Sequence, residues 1–305
     1  MVAILQAVFS GLALGGIYGL VALGFSITHT TTKTFNFGQG EFLAVGTLIG
    51  VSAVLLLSGQ DITGALQPAD VTLSRYALGL IASVVVLGIF GVLLYFTAVR
   101  PFVGLGGLAW VMSTIGFGII IQNTALAIWG PTPIVMASPV GDDVIRIGGA
   151  GVLPQEILVL VSSIFVMVCL DLVLSKTKIG KAVRAVAHSR TAATLMGINV
   201  SAIVVLAFVV SSGLAGLAGM LVVPITTASV FMGLTIALKA FSAAIVGGLN
   251  NPRGCMLGGF LLGLMEALVG LWHAELREIS VFMVIILVLV LKPEGLLGRR
   301  HVEKV

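Results

Sequence analysis

The side chains able to do chemistry are few and scattered. His29, His188, His273 and His301 fall on different segments, at no spacing that suits a metal site. No GxSxG nucleophile elbow and no GxxxxGK(S/T) phosphate loop occurs. The chain is therefore expected to need no cofactor, to bind no metal and not to hydrolyse ATP itself. Four ionisable residues do stand within or at the margin of apolar runs: Glu41, Asp171, Lys239 and Glu266. A charge at membrane depth is costly and usually faces a bundle interior or a water-filled cavity, so each is a functional candidate. Blander readings stand beside these. Asp171 lies near a run end, Lys239 could snorkel, and Glu266 could be neutral or paired.

Glu41 has the richest company. Asn36-Phe37-Gly38-Gln39-Gly40-Glu41 gathers two amides, a carboxylate and two glycines at the mouth of an apolar run. Glycine lets the backbone open, and a helix N-terminus inside a membrane offers free N–H groups and a positive dipole end to an anionic group. Asn36, Gln39, Gly40 and Glu41 are thus candidates for a solute pathway. The competing reading is a helix cap in a loop.

The elements that would carry these residues are apolar. Hydrophobic residues make up 58% of 305 and charged ones 9%, where a soluble domain carries roughly 25% charged residues. The mean hydropathy of +1.19 agrees. Apolar runs cover about 2–27, 40–58, 76–98, 104–129, 154–174, 201–223, 233–249, 254–273 and 277–292, and all nine prolines fall at their boundaries. The expected fold is all-α: a polytopic transmembrane helix bundle of about eight to ten helices, forming one domain over 1–305. The short run at 233–249 or the polar stretch near 29–40 could be a broken or re-entrant helix. Cys169 and Cys255 lie in apolar runs, so no disulfide is expected, and with Lys33 as the first charge no cleavable signal is expected either.

Charge sets the topology. The segment 176–200 carries Lys176, Lys178, Lys181, Arg184 and Arg190, and no acid occurs between Asp171 and Glu266. Such a block is held in the cytoplasm. Counting outward puts Arg100, Arg253, Lys292, Arg299, Arg300 and Lys304 on the same side, with the C-terminus. Asp61, Asp70, Asp142, Asp143, Glu275 and Glu278 fall outside with Arg75, Arg146 and Arg277. Val183, Val186, Ala193 and Met196 recur at helical spacing before Gly197, which predicts one short amphipathic helix. It is either a loop that only sets topology or a docking surface. The net charge of +4 sits beside the spans and not in an aromatic-interleaved patch, which argues against nucleic acid.

Glycine supplies the packing. Gly11, Gly15 and Gly19, Gly254 and Gly258, and Gly259 and Gly263 are spaced by four, and Gly213, Gly216 and Gly219 by three. Such faces let helices approach closely in lipid, more often within one bundle than between two chains.

Four stretches, in order, resemble one family. They are GLALGGIYGLVALGFSI leading into NFGQGEF, then KIGKAVRAVAHSRTAATLMGINV, then AFSAAIVGGLNNPRGCMLGGFLLGLMEAL, and the closing LVLVLKPEGLLG. Together they are similar to the permease subunits of ABC importers for branched-chain amino acids and related polar solutes, the shorter of the two permease types. Gln39 stands where that family often has histidine, and His188-Ser189 also depart from its pattern. The resemblance implies inward transport of a small polar solute across the bacterial inner membrane by alternating access. It implies a second permease subunit, two cytoplasmic ATPases and an external solute-binding protein. It also implies that 176–200 is the coupling segment, with Arg184, Ala185, His188, Ala193 and Gly197 meeting the ATPase. The alternatives are an ATP-independent carrier or channel, for which Glu41 with Glu266 is the one deep carboxylate pair, and an intramembrane enzyme, which lacks its constellation.

Overall fold

The computed structural model describes residues 2–64, 66–102 and 109–298. These form α1 (Val2–Thr32), α2 (Gln39–Leu57), α3 (Leu73–Leu94), α4 (Ala109–Trp129), α5 (Pro154–Lys176), α6 (Lys178–His188), α7 (Arg190–Leu195), α8 (Val200–Val222), α9 (Met232–Gly247), α10 (Pro252–Trp272) and α11 (Leu276–Leu291). Each of the nine apolar runs has become a helix, so the all-α polytopic bundle is the observed fold. Seven helices are long and apolar enough to span a membrane: α1, α2, α3 with its extension to Phe102, α4, α5, α8 and α10. The extension is a π turn over Tyr95–Val99 and a 3₁₀ turn over Arg100–Phe102, where Pro101 ends the ladder. Arg299, Arg300, His301 and Lys304 lie outside the described residues.

One small piece of sheet stands apart. β1 (Ile145–Ile147) pairs antiparallel with β2 (Ala150–Val152), and Gly148 and Gly149 supply the two positive φ values, 60° and 86°, of a type I′ turn. The segment holding this hairpin also bridges Ile134 to Ala228 in the α8–α9 connection. This defines the hairpin end of the bundle. The basic end lies opposite, around α6 and α7.

α1 is the axis. From Gly15 to Thr28 every residue is buried, because α5, α8, α9 and α10 surround it. A helix apolar on all sides belongs in such a place. Its closest partner is α10, antiparallel to it along the two glycine faces. A Cβ on Gly11 would stand 2.8 Å from the Gly263 carbonyl oxygen, and one on Gly15 would stand 2.8 Å from that of Gly259. The Gly254 and Gly258 face meets α9 at Gly247 and Ala243, while Gly216 and Gly219 meet Ser83 of α3 and Thr47 of α2. All these small-residue faces close within one chain.

The entry to α2 lies inside the bundle. The side chain of Gln39 reaches the backbone of Ser211, eleven residues into α8, and packs against Gly24 of α1. Since α1 runs eight residues past Gly24 (32 − 24), about 12 Å at 1.5 Å per residue, the connection over 33–38 must climb back before α2 begins. The polar stretch is thus a turn returned into the interior of the bundle, with Asn36 and Gln39 buried.

The basic segment differs from expectation. Instead of one amphipathic helix it holds two, because Ser189 is extended and its hydroxyl accepts from the Ala192 N–H at 3.2 Å, capping α7. Thr177 caps α6 in the same way, and Asn199 caps α8. Gly197, at φ 79°, closes α7 with its N–H on the Thr194 carbonyl, and the Ile198 N–H reaches Ala193. Val183, Val186 and Ala193 are buried as their spacing suggests. Met196 is not: it is 82% exposed, and Leu195 beside it is 84% exposed. The chain after α11 folds back, where the N–H groups of Leu296 and Leu297 donate to the last carbonyls of α9, on Val246 and Gly247, at 2.7 and 3.1 Å.

Candidate functional site

Three polar regions interrupt the apolar bundle. The first is the head of α2. Asn36 accepts from the Gly38 N–H at 3.0 Å, an Asx-type turn, and donates through Nδ2 to Gln39 Oε1 at 3.1 Å. The Ser211 hydroxyl donates to the same oxygen at 3.1 Å, and Gln39 Nε2 donates to the Ser211 carbonyl at 2.9 Å. Asn36 and Gln39 are buried, and these contacts use the polar atoms that a buried amide must satisfy. They hold the turn. Gly40 fixes it from the other side, where a Cβ would stand 2.8 Å from the carbonyl of Gly233 on α9.

Glu41 is placed differently. It is half-buried in the first turn of α2, beside Gly118 of α4, and its carboxylate meets no group from another residue among the described residues. Around the turn stand His29 stacked on Phe35 at 4.6 Å, and Phe37, Trp110 and Phe241 in contact with Phe35. Glu41 thus sits at a helix N-terminus that follows Phe35, the centre of this aromatic cluster, in sequence, with no hydrogen bond to another residue among the described residues.

The second region joins Lys239 to Glu266, which the sequence offered separately. Lys239 Nζ lies 2.8 Å from Glu266 Oε1, Arg277 Nε lies 2.9 Å from the same oxygen, and the Tyr18 hydroxyl donates to Oε2 at 2.8 Å. Glu278 approaches Lys239 at 3.9 Å. Glu266 is 1% and Lys239 7% exposed, so a buried ion pair lies at the centre of a network linking α1, α9, α10 and α11, with Arg277 and Glu278 reaching its open rim. Tyr18, Arg277 and Glu278 were not among the candidates. Arg277 and Glu278 look like ordinary loop charges at the start of α11, and the signal that could have found them was the need of two buried charges for partners. Among the described residues no hydrogen bond or ion pair joins Glu41 to Glu266 or to its partners Tyr18, Lys239 and Arg277.

The third region is the basic end. Arg184 and His188 are exposed, Ala185 is half-buried, and Ala193 is buried under the turn that Gly197 closes. Arg184 donates to the Leu174 carbonyl, and Arg190 Nη2 donates to the Thr31 carbonyl at 2.9 Å, tying the segment to α5 and to the end of α1. A cavity of about 720 Å³ lies behind it, lined by Lys33, Arg184, His188, Asn250 and Arg253. Asp171, the fourth intramembrane candidate, pairs there with Arg253 Nε at 2.7 Å.

The helix bundle thus combines a buried polar turn, a buried ion pair and a capped basic segment. Residues 7–291 match the family of the permease component of the branched-chain amino acid transport system, and the chain belongs to that family. It is 32% identical over 309 residues to the Pseudomonas aeruginosa high-affinity branched-chain amino acid transport system permease protein BraD, covering 99% of this chain and 98% of that one. It is 29% identical to the Escherichia coli K12 permease protein LivH of the same kind of system, covering 99% and 97%. A more distant relative is the Escherichia coli K12 D-allose transport system permease protein AlsC, 26% identical over 77% of this chain and 72% of that one. With seven spans and these relatives, the chain is a multi-pass inner-membrane protein.

Proposed function

We propose that this chain is the membrane-spanning permease subunit of an ATP-binding-cassette importer that moves a branched-chain amino acid, or a related small polar solute, inward by alternating access. The observation that carries the reading is the head of α2: a helix N-terminus inside the bundle whose Glu41 carboxylate bonds to no other residue among the described residues, in a chain of this family. Asn36, Gln39 and Gly40 hold the turn, and Glu41 faces the solute. Contact there is weak, because a permease that held its solute tightly would not release it.

ATP is hydrolysed by two partner subunits at the basic end, which lies in the cytoplasm together with the C-terminus. The segment 176–200 transmits their movement. Arg184 and His188 present charge, Gly197 sets the turn, and exposed Leu195 and Met196 offer an apolar contact. A second permease subunit completes the pathway, and an external binding protein delivers the solute at the hairpin end. An ATP-independent carrier would need Glu41 and Glu266 as an ion site, but Glu266 is already shared by Lys239, Arg277 and Tyr18.

The test is uptake of labelled leucine into proteoliposomes holding this chain, its second permease, the ATPases and the binding protein. Uptake that needs ATP and is lost without the ATPases is expected. Equal uptake by this chain alone, without ATP, overturns the reading.

A further inference from the structure

Beside the ion network lies a cavity of about 350 Å³, within the roughly 300–1,000 Å³ of small-molecule sites. Its lining has two characters. One end is charged, with Tyr18, Lys239, Glu266, Arg277 and Glu278, and the rest is mainly aliphatic, from Leu14, Ile17, Val222, Ile225 and Ile236. We propose that this cavity is a binding site for a zwitterionic amino acid with an aliphatic side chain, separate from the turn at Glu41.

The charge balance selects the ligand class. Two acids and two bases make the cluster neutral, so a solute carrying one of each sign adds no uncompensated charge, whereas an anion or a cation alone would. Each head group finds an open partner. Arg277 uses Nε on Glu266, and among the described residues its two Nη atoms make no hydrogen bond, which leaves the paired donors that suit an α-carboxylate. Glu278, 68% exposed at its side chain and 3.9 Å from Lys239, is too far for a hydrogen bond to that lysine and is open to an α-ammonium. The aliphatic wall accepts a branched hydrocarbon side chain and offers little to the hydroxyls of a sugar. The site lies toward the hairpin end, where α8 and α10 finish and α11 starts, so a solute would meet it at the opposite end from the basic segment.

This inference rests on the importer reading, and its test is arranged to fail separately. Thr226 lines the cavity, so Thr226→Cys is made in the full-length chain with the exposed Cys169 changed to Ser, the remaining Cys255 being buried. Maleimide labelling is then followed in nanodiscs with L-leucine, leucinol, 4-methylpentanoate or glycine. L-leucine is expected to slow labelling several-fold, and the other three, each lacking the carboxylate, the ammonium or the side chain, to leave it unchanged. Arg277→Gln should raise the half-protecting leucine concentration about tenfold or more, the scale of a lost charge-assisted contact. Glu278→Gln, at an exposed side chain, gives the same reading should the first variant fold poorly. Labelling unaffected by leucine, or protection unchanged in both variants, overturns the site. ATP-driven leucine uptake with no protection refutes the site and leaves the importer standing. Protection without ATP-dependent uptake does the reverse.

Discussion

The ion network makes an asymmetric prediction. Glu266 is the carboxylate that two cations share, with Lys239 Nζ at 2.8 Å and Arg277 Nε at 2.9 Å. In Glu266→Gln, Lys239 stays buried with Glu278 at 3.9 Å as its nearest acid. Breaking a buried pair from one side leaves an uncompensated charge and costs about 3–5 kcal/mol. Lys239→Met is milder, because Glu266 keeps Arg277 and the Tyr18 hydroxyl at 2.8 Å, and methionine fills the space with apolar chain. Its expected cost is about 1–2 kcal/mol, that of one lost hydrogen bond to a charged group. The double variant leaves Arg277 as the remaining cation, half-exposed and able to reach water, so it should be more stable than Glu266→Gln alone. The two changes should couple by up to about 3 kcal/mol. Reversible unfolding in mixed micelles with increasing dodecyl sulfate, followed by tryptophan fluorescence, measures all three. A greater loss from Lys239→Met than from Glu266→Gln, or costs that simply add, would refute the assignment of Glu266 as the shared counter-ion.

Further outcomes follow from the other regions. Gly197→Val places a β-branched residue at φ 79°, a strain of about 1 kcal/mol or more; the protein should still insert, and ATP-driven uptake per inserted molecule should fall. Gln39→Ala strips partners from Asn36 and Ser211 and should lower unfolding stability by about 1–3 kcal/mol, whereas Glu41→Ala should stay within about 0.5 kcal/mol while slowing uptake. If Glu41→Ala destabilises the protein as much as Gln39→Ala does, the carboxylate belongs to the fold and not to the pathway. Gly15→Val would drive a side chain into the backbone of α10 at Gly259, so the yield of monodisperse protein should drop sharply; an unchanged yield would mean α1 and α10 do not meet there.

Much of the architecture was legible because bilayer burial writes length and apolarity directly into the chain. The nine runs and their proline boundaries correspond to nine helices, and the glycine faces found partners within the bundle. The hairpin was not legible: strands of three residues carry too little alternation, and Gly148-Gly149 is one glycine pair among 39 glycines. The split of the basic segment was missed for a related reason. Val183, Val186 and Ala193 keep helical spacing across a break that depends on one serine turning extended. Met196 fitted the same spacing, yet it lies beyond the end of α7 at the turn closed by Gly197, where helical periodicity no longer says which way a side chain points.

The polar candidates show a sharper limit. Composition can say that Glu41, Lys239 and Glu266 need an explanation, because hydrocarbon penalises any charge. It cannot say which of them already has one. Glu266 meets Arg277 eleven residues on, Tyr18 248 residues back, and Lys239 27 residues back. Those pairings come from how α1, α9, α10 and α11 pack, and no local spacing records them. Glu41 has equally apolar flanks and no such partners among the described residues. Its neighbour Gln39 is satisfied by Ser211, 172 residues further on, and Asn36 by Gln39 and the Gly38 N–H. The three residues of one motif therefore divide: two amides stabilise the turn, and the carboxylate bonds to no other residue among the described residues.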